Sequence, residues 1–277
     1  MKRLYVTDLD GTLLDRKSAV SLKSKTILNQ FIRSGGYITY ATARSYTSAR
    51  IVTQGIDFSL PVVVYNGTFI YDIKNCSFLH SEYFSKENIE QLFSLCRMFS
   101  LTPLVYTFVD GVEKILWNKN GVLSDGFLYY LNRRREDKRM CAVNTLEQSF
   151  QGNIFYLTFI ENQENLQEVY DCIQQLGCFN CVFQQEIYRT EYWCEIMPKS
   201  VNKASAIVRL KEFLQCDELV VFGDSLNDVP MFRTAQRSYA VGNANDNLKQ
   251  IATEVIGYND GDSVALKLAE LENIRSV

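Results

Sequence analysis

The sequence predicts an α/β fold in which a Rossmann-like parallel-sheet core is interrupted by an inserted α+β unit. Three observations carry that prediction. Short apolar runs alternate with helix-period segments from the first residues onward, the texture changes near Tyr83 to a helix followed by paired β-rich runs, and the first pattern returns after Pro198. The core is therefore expected to be discontinuous, covering 1–82 and 194–277, with 83–193 inserted between them.

The elements follow in order. Leu4 to Thr7 reads as a strand, Ser21 to Arg33 as a helix closed by Gly35-Gly36, and Tyr37 to Ala41 as a second strand. A helix over Tyr46 to Gln54 and a strand over Pro61 to Tyr65 continue the alternation expected of parallel strands with crossover helices. In the insert, a helix over Ser85 to Phe99 precedes two β-rich runs, Leu101 to Val109 and Val112 to Trp117, which the Asp110-Gly111 dipeptide joins as a hairpin. A helix at Asp125 to Arg135, a strand at Asn153 to Ile160, a helix at Gln163 to Gln175 and strands at Cys181 to Phe183 and Trp193 to Ile196 complete it. The returning core brings a helix at Asn202 to Leu214, a strand at Glu218 to Phe222, and short alternations thereafter.

Composition excludes several classes. With 47% hydrophobic and 22% charged residues the chain has the balance of a globular protein, and 277 residues suffice for two cores. A formal net charge of -3 argues against binding a nucleic-acid polymer. No run approaches a membrane span and no secretory leader pattern is present, so a cytoplasmic protein is expected. The eight cysteines are scattered; Cys178 and Cys181 form the one C-x-x-C, with no second close pair to complete a zinc site, so they read as reduced structural side chains.

The chemistry concentrates at strand ends. Asp8 and Asp10 leave the first strand one residue apart, and in extended backbone both would face the same side. Two anions that close are best reconciled by a divalent cation, and an all-oxygen ligand set suits Mg²⁺. Gly11 permits a tight turn there, and the Thr12 hydroxyl can hold it. A second apolar run, Leu219 to Phe222, ends in Gly223-Asp224-Ser225-Leu226-Asn227-Asp228. Asp224 would point over the sheet edge, where ligands of open α/β sheets bind, while Asn227 and Asp228 stand where a helix N-cap is also expected. Thr42, after the second strand, suits either an N-cap or a phosphate oxygen. Lys203 sits in the first turn of a helix, an awkward place for a cation unless a phosphate or carboxylate is near.

Taken together, Asp8-x-Asp10, Thr42, Lys203 and Gly223-Asp224-x-x-Asn227-Asp228, in that order, resemble the four-motif signature of the haloacid dehalogenase superfamily of aspartate-nucleophile phosphotransferases. The large insertion, and Asn66-Gly67 after the third strand, look most like the Cof-like branch with an α+β cap of type II, subfamily IIB. The resemblance spans essentially the whole chain. It implies an Mg²⁺-dependent phosphohydrolase acting on a small phosphorylated metabolite, such as a sugar phosphate, nucleotide or phosphorylated cofactor. Asp8 would be the nucleophile, Asp10 the acid and base, and Thr42 and Lys203 would hold the transferring phosphoryl group. Asp8 and Asp224 would bind the metal through carboxylates and Asp10 through its main-chain carbonyl, with Asn227 and Asp228 supporting the metal loop. Leu9, Gly11, Ala43, Arg44, Asn66, Gly67 and Asn227 fall at phosphate- or substrate-contacting positions. Ala43 and Ala204 stand where the family usually has glycine, which implies altered loop geometry.

The insert would select the substrate. Its aromatics (Tyr106, Phe108, Trp117, Phe127, Tyr129, Tyr130, Tyr188, Tyr192 and Trp193) show no ligand-specific pattern and read mainly as core. Its basic run of Arg133 to Arg135 with Lys138 and Arg139 suits a solvated helix end or a second anion. His80, the single histidine, reads as a surface or linker residue, which leaves little for a histidine-nucleophile mechanism. A non-catalytic phospho-ligand sensor and a sugar phosphomutase are the competing readings, and a monomer or weak homodimer is expected.

Overall fold

The computed structural model describes residues 1–185 and 189–274, so Tyr188 lies outside the described residues. The chain divides into two compact units, residues 1–81 with 202 onward, and residues 82–201. In the first segment β1 (Arg3–Thr7), α1 (Leu22–Arg33), β2 (Tyr37–Tyr40), α2 (Tyr46–Val52), β3 (Val62–Val64), β4 (Phe69–Asp72) and β5 (Ser77–Ser81) follow one another. The inserted unit holds α3 (Lys86–Met98), β6 (Leu104–Val109), β7 (Val112–Asn118), α4 (Asp125–Arg133), β8 (Met140–Val143), α5 (Leu146–Ser149), β9 (Asn153–Glu161), α6 (Gln163–Leu176), β10 (Phe179–Gln185) and β11 (Tyr192–Pro198). The returning segment adds α7 (Lys203–Phe213), β12 (Glu218–Gly223), α8 (Val229–Thr234), β13 (Arg237–Ala240), α9 (Asp246–Ile251), β14 (Glu254–Val255) and α10 (Ser263–Leu271).

The first unit is built on a parallel sheet in the order β14-β13-β12-β1-β2. Leu4, Tyr5 and Val6 of β1 and Val220, Val221 and Phe222 of β12 are all fully buried, the uniform apolar pattern of strands covered on both faces. Helix α1 starts at Ser21, whose side chain accepts from Ser24 N–H, and turns Ile27, Leu28 and Phe31 inward, Phe31 meeting Tyr5 edge to face. Thr7 lies in register with Phe222, and Asp8 N–H donates to Phe222 O at 3.0 Å. Two neighbouring central strands therefore release their chains at the same level of the sheet edge.

The strand at 61–65 behaves differently from the expected simple continuation. β3 touches the parallel sheet through one bridge, Ala41 to Val63, and otherwise begins an antiparallel three-stranded sheet with β4 and β5. Its turn takes three successive positive φ values, at Tyr65, Asn66 and Gly67. His80 is a half-buried strand residue of β5 opposite Ile70, next to the boundary with the inserted unit.

The inserted unit forms a six-stranded sheet in the order β10-β11-β9-β6-β7-β8. One face buries Val105, Leu157, Phe159, Cys194 and Ile196 against Leu92, Leu95 and Cys96 of α3 and Leu166, Val169 and Ile173 of α6. The other carries Trp117 and Trp193, against which α4 packs Phe127 and Tyr130. The β6–β7 hairpin closes through Asp110 and Gly111, both at positive φ, as a two-residue primed turn requires. The second boundary falls at 201/202 rather than 193/194, and Glu82 joins the insert. Residues 194–198 lie in β11, which pairs with β10 on one side and β9 on the other, so a cut at 193 would split the sheet.

The basic run is not simply solvated. Arg139 pairs with Asp137 and Glu113, and the Arg134 guanidinium lies 4.9 Å from the Tyr130 ring centre, while Arg133 and Arg135 remain exposed. All eight cysteines are free thiols, with Cys96, Cys194 and Cys216 buried and Cys76 exposed. Among the described residues no helix is long and apolar enough to cross a membrane.

Candidate active site

The site begins where β1 stops. The chain leaves the strand at Asp8 and coils through Leu9–Leu13 in a wide turn closed by Leu14 N–H to Leu9 O at 2.9 Å, with Asp10 and Gly11 departing from helical backbone. Asp8 stays with the sheet and is buried, whereas the Asp10 carboxylate, beyond the strand, is 41% exposed. The Asp10 carboxylate instead meets the Arg44 guanidinium in a two-pronged pair at 2.5 and 2.6 Å, and Arg44 also donates to Ser48. Asp10 remains near enough to Asp8 for its charge to act on that carboxyl. The carboxylates that do converge are Asp8, Asp224 and Asp228, whose oxygens approach within 4.8 Å of one another. The metal contribution expected of Asp10 is a main-chain carbonyl, on which this side-chain grouping does not bear.

Lys203 resolves its own anomaly. It opens α7, capped by Asn202, and is 1% exposed, with Nζ 2.7 Å from Asp228 Oδ1 and 3.0 Å from Asp8 Oδ1. Burial disfavours its charge, but the Asp228 and Asp8 carboxylates outweigh that and hold its pKa above the ordinary lysine value. Asp228 is fully buried and does not cap α8. Its Oδ2 accepts from Asp224 N–H at 2.9 Å and Ser225 N–H at 3.1 Å, which ties the loop after β12. Gly223 is needed there, since a Cβ would lie 2.6 Å from Asp228 Oδ2.

Asp224 accepts from the Thr12 hydroxyl at 2.7 Å, a contact that joins the two acidic loops. Burial and the Asp228 carboxylate push its pKa up to about 7, against the pull of Thr12. Burial likewise raises Asp8 well above the carboxylate range; Lys203 opposes this, and Asp228, Asp224 and Asp10 add to it. When all are ionised, three carboxylates face one ammonium and leave two negative charges. A hard divalent cation fits this oxygen-only set, in charge and in ligand type.

The remaining expected residues line the same region of this unit. Thr42 is buried, donates its N–H to Val63 O, and accepts at Oγ1 from Arg44 N–H at 3.2 Å. It is not the helix cap; Ser45 caps α2. Asn66 N–H donates to Thr42 O and Tyr65 N–H to Arg44 O, so the turn after β3 backs onto the loop after β2. Gly67, at φ +103, would place a Cβ 2.3 Å from Asn202 O, which brings the same turn against the start of α7. Asn227 Nδ2 donates to Asn66 Oδ1 at 3.1 Å, while its Oδ1 is buried with no hydrogen-bond partner. The Leu9 side chain is fully buried, so its contribution to a ligand is limited to its main chain. Neither Ala43 nor Ala204 takes a positive φ, so neither backbone position demands glycine.

Sequence reasoning missed a third contributor. The loop after β13 donates Asn243 Nδ2 to Gly11 O at 2.7 Å and Asn245 N–H to Asp224 O at 2.8 Å. The available signal was its position, a polar loop at the carboxyl end of another parallel strand.

Buried carboxylates and a buried lysine gathered beyond the carboxyl edge of a parallel sheet, with a large unit inserted in the chain, define the class as an α/β enzyme of the haloacid dehalogenase type. The chain belongs to the haloacid dehalogenase-like hydrolase family, which it matches over residues 5–268. Among its relatives are two Bacillus subtilis (strain 168) proteins. It is 22% identical to 5-amino-6-(5-phospho-D-ribitylamino)uracil phosphatase YitU over 277 residues, covering 96% of each chain. It is 25% identical to phosphatase YwpJ over 292 residues, covering 97% of this chain and 99% of the relative. A solved structure described as a HAD subclass IIB sugar phosphatase superposes with a TM-score of 0.76 at 18% identity, covering 99% of this chain and all of that one. The fold is shared at that level.

Proposed function

We propose that this enzyme is an Mg²⁺-dependent phosphohydrolase that releases phosphate from a small phosphorylated metabolite through an aspartyl-phosphate on Asp8. One observation carries the reading: the buried Asp8 carboxylate stands at a central strand end, 3.0 Å from Lys203 Nζ and grouped with Asp224 and Asp228. In the first step an Asp8 oxygen attacks phosphorus, the bond from phosphorus to the leaving oxygen breaks, and Asp10 gives that oxygen its proton. In the second step Asp10 takes a proton from water, the water oxygen attacks phosphorus, and the bond to Asp8 breaks. Arg44 orients Asp10 through the two-pronged pair. Lys203 and the Thr42 hydroxyl hold phosphoryl oxygens, and fixed positive charge is worth most in such a buried setting. Asp8 and Asp224 would hold Mg²⁺ through their carboxylates and Asp10 through its main-chain carbonyl, with Asp228 supporting the loop; the ion would supply charge neutralisation for the phosphoryl group.

The remaining assignments rest on the same reading. The unsatisfied Asn227 Oδ1 suits a hydroxyl or water donor in this pocket, and Arg44 and Asn66 are the core side chains assigned to the leaving group. The inserted unit, acting as a cap, selects that leaving group. Phosphorylated sugars and sugar alcohols head the candidate substrates, because one relative in sequence and one protein of similar fold are named for such compounds.

The test is Mg²⁺-dependent phosphate release from a panel of phosphorylated sugars, sugar alcohols, nucleotides and cofactors, with Asp8→Asn run alongside. Release by wild type and none by the variant is expected, and the ranking identifies the substrate class. Wild-type turnover in Asp8→Asn removes the nucleophile assignment.

A further inference from the structure

We infer that Asn243 is a positioning residue that sets the spacing between the two acidic strand-end loops; this rests on the phosphohydrolase reading. The turn at Leu9–Leu13 carries non-helical backbone at Asp10 and Gly11, so its carbonyls are not taken up by a regular helix. Asn243 Nδ2 donates to Gly11 O at 2.7 Å, across 232 residues of sequence. The amide is held in that orientation because its Oδ1 accepts from Asn259 N–H at 3.1 Å. Asn259 in turn donates its side-chain Nδ2 to Leu14 O at 2.8 Å. The two asparagines thus brace the turn at Gly11 and at its far end.

The same loop reaches the second acidic strand end. Asn245 N–H donates to Asp224 O at 2.8 Å, so residues 243–245 hold the main chain of Gly11 and of Asp224 at once. The spacing they hold is tight: a Cβ on Gly11 would stand 2.3 Å from Asp224 Oδ2, and Thr12 Oγ1 donates to Asp224 Oδ1 at 2.7 Å. A shift of the Gly11 carbonyl therefore moves Asp10 on one side and the partners of Asp224 on the other. Asn243 touches none of the reacting groups itself; it acts through the Gly11 carbonyl. Misplacements of about 1 Å are enough to cost on the order of 100-fold in rate.

The experiment compares wild type, Asn243→Ala, Asn243→Asp and Asn243→Gln in kcat and KM for para-nitrophenyl phosphate at saturating Mg²⁺, with melting temperatures measured on each. Asn243→Asp keeps the acceptor for Asn259 N–H but loses the donor to Gly11 O. It and Asn243→Ala are expected to lower kcat by about 10- to 100-fold with KM within roughly threefold. Asn243→Gln, which keeps a donor amide, is expected to retain more kcat than Asn243→Asp at a similar melting temperature. If Asn243→Ala does not fold, Asn259→Ala takes its place, since it removes the brace at Leu14 O and keeps the main-chain donor to Asn243; a smaller fall in kcat is expected. The inference is overturned by an active wild type whose Asn243→Asp variant turns over normally, or by losses of kcat that merely follow the folded fraction. A wild type that releases no phosphate from any panel compound overturns the underlying reading, and this inference with it.

Discussion

Replacing Lys203 with Met removes the single cation from the carboxylate group and keeps most of the side-chain volume. At 2.7 and 3.0 Å, each attraction of Nζ to Asp228 and Asp8 is worth about 6 kcal/mol at an effective dielectric of ~20. The desolvation of a fully buried ammonium offsets several kcal/mol of that sum. What remains is in line with the roughly 3–5 kcal/mol lost when one partner of a buried ion pair is deleted. The variant is expected to be about 3–5 kcal/mol less stable in metal-free buffer at pH 8.

The deficit has a pH sign. Without Lys203 the buried Asp8 loses the charge that opposes its upward shift, so its folded-state pKa lies still further above its unfolded value. Such a group binds more protons folded than unfolded, and the stability it contributes is present below the unfolded pKa and lost as pH rises through the folded one. The gap to wild type is therefore expected to be smaller at pH 5 than at pH 8. Adding Mg²⁺ at pH 8 is also expected to narrow it, since the cation supplies the missing positive charge. Urea melts of both proteins at the two pH values, with and without Mg²⁺, measure all of this. A variant within about 1 kcal/mol of wild type in metal-free buffer at pH 8 would refute the reasoning.

Two further outcomes are expected. Gly11→Ala, at φ +74 with its Cβ 2.3 Å from Asp224 Oδ2, should cost about 1–2 kcal/mol in backbone strain and lower kcat on the order of 100-fold. Gly35→Ala, at φ +88 with nothing within 4 Å, should show the strain without the loss of rate; equal rate losses in the two variants would remove Gly11 from the site. Glu218 is pushed up by burial, but hydrogen bonds from Arg237 and Arg3, each at 2.7 Å, outweigh this and hold its pKa below the ordinary glutamate value. Its contribution is present above the unfolded pKa and lost as pH falls through the folded one. Glu218→Gln should thus cost about 1–2 kcal/mol at pH 7, and the gap in urea midpoints should close as pH is lowered from about 4.5. A gap of constant size down to pH 3 would show that the charge is not what stabilises.

The parts of the site that were legible in the sequence are those that depend on local backbone. Asp8 and Asp224 follow unbroken apolar runs, so their place at strand ends could be read directly. Lys203 was legible only as an electrostatic misfit at a helix start; its burial depends on Asp8 and Asp228 arriving from elsewhere in the chain. The pairing of Asp10 with Arg44 was hidden because it joins two loops 34 residues apart. β4 and β5 do not follow from the alternation of parallel strands and crossover helices, although Phe69-Ile70-Tyr71 and Phe78-Leu79 flank a polar turn. Residues 194–198 were misassigned for a similar reason: a strand's neighbours, not its own residues, decide which sheet it joins.

The pairing of β1 with β12 sets a timetable for synthesis. Arg3 pairs with Glu218, 215 residues later, so at ribosomal rates of about 5–20 residues per second the first strand waits on the order of 10–40 s for its partner. During that interval β2 can cover one edge of β1, while the edge that will bind β12 stays open with Leu4, Tyr5 and Val6 beside it. The inserted unit, whose strand pairings all fall within residues 82–201, is complete before β12 emerges. The nascent chain thus presents a finished inner unit flanked by an unfinished outer one, with the apolar β1 left open for a chaperone to cover.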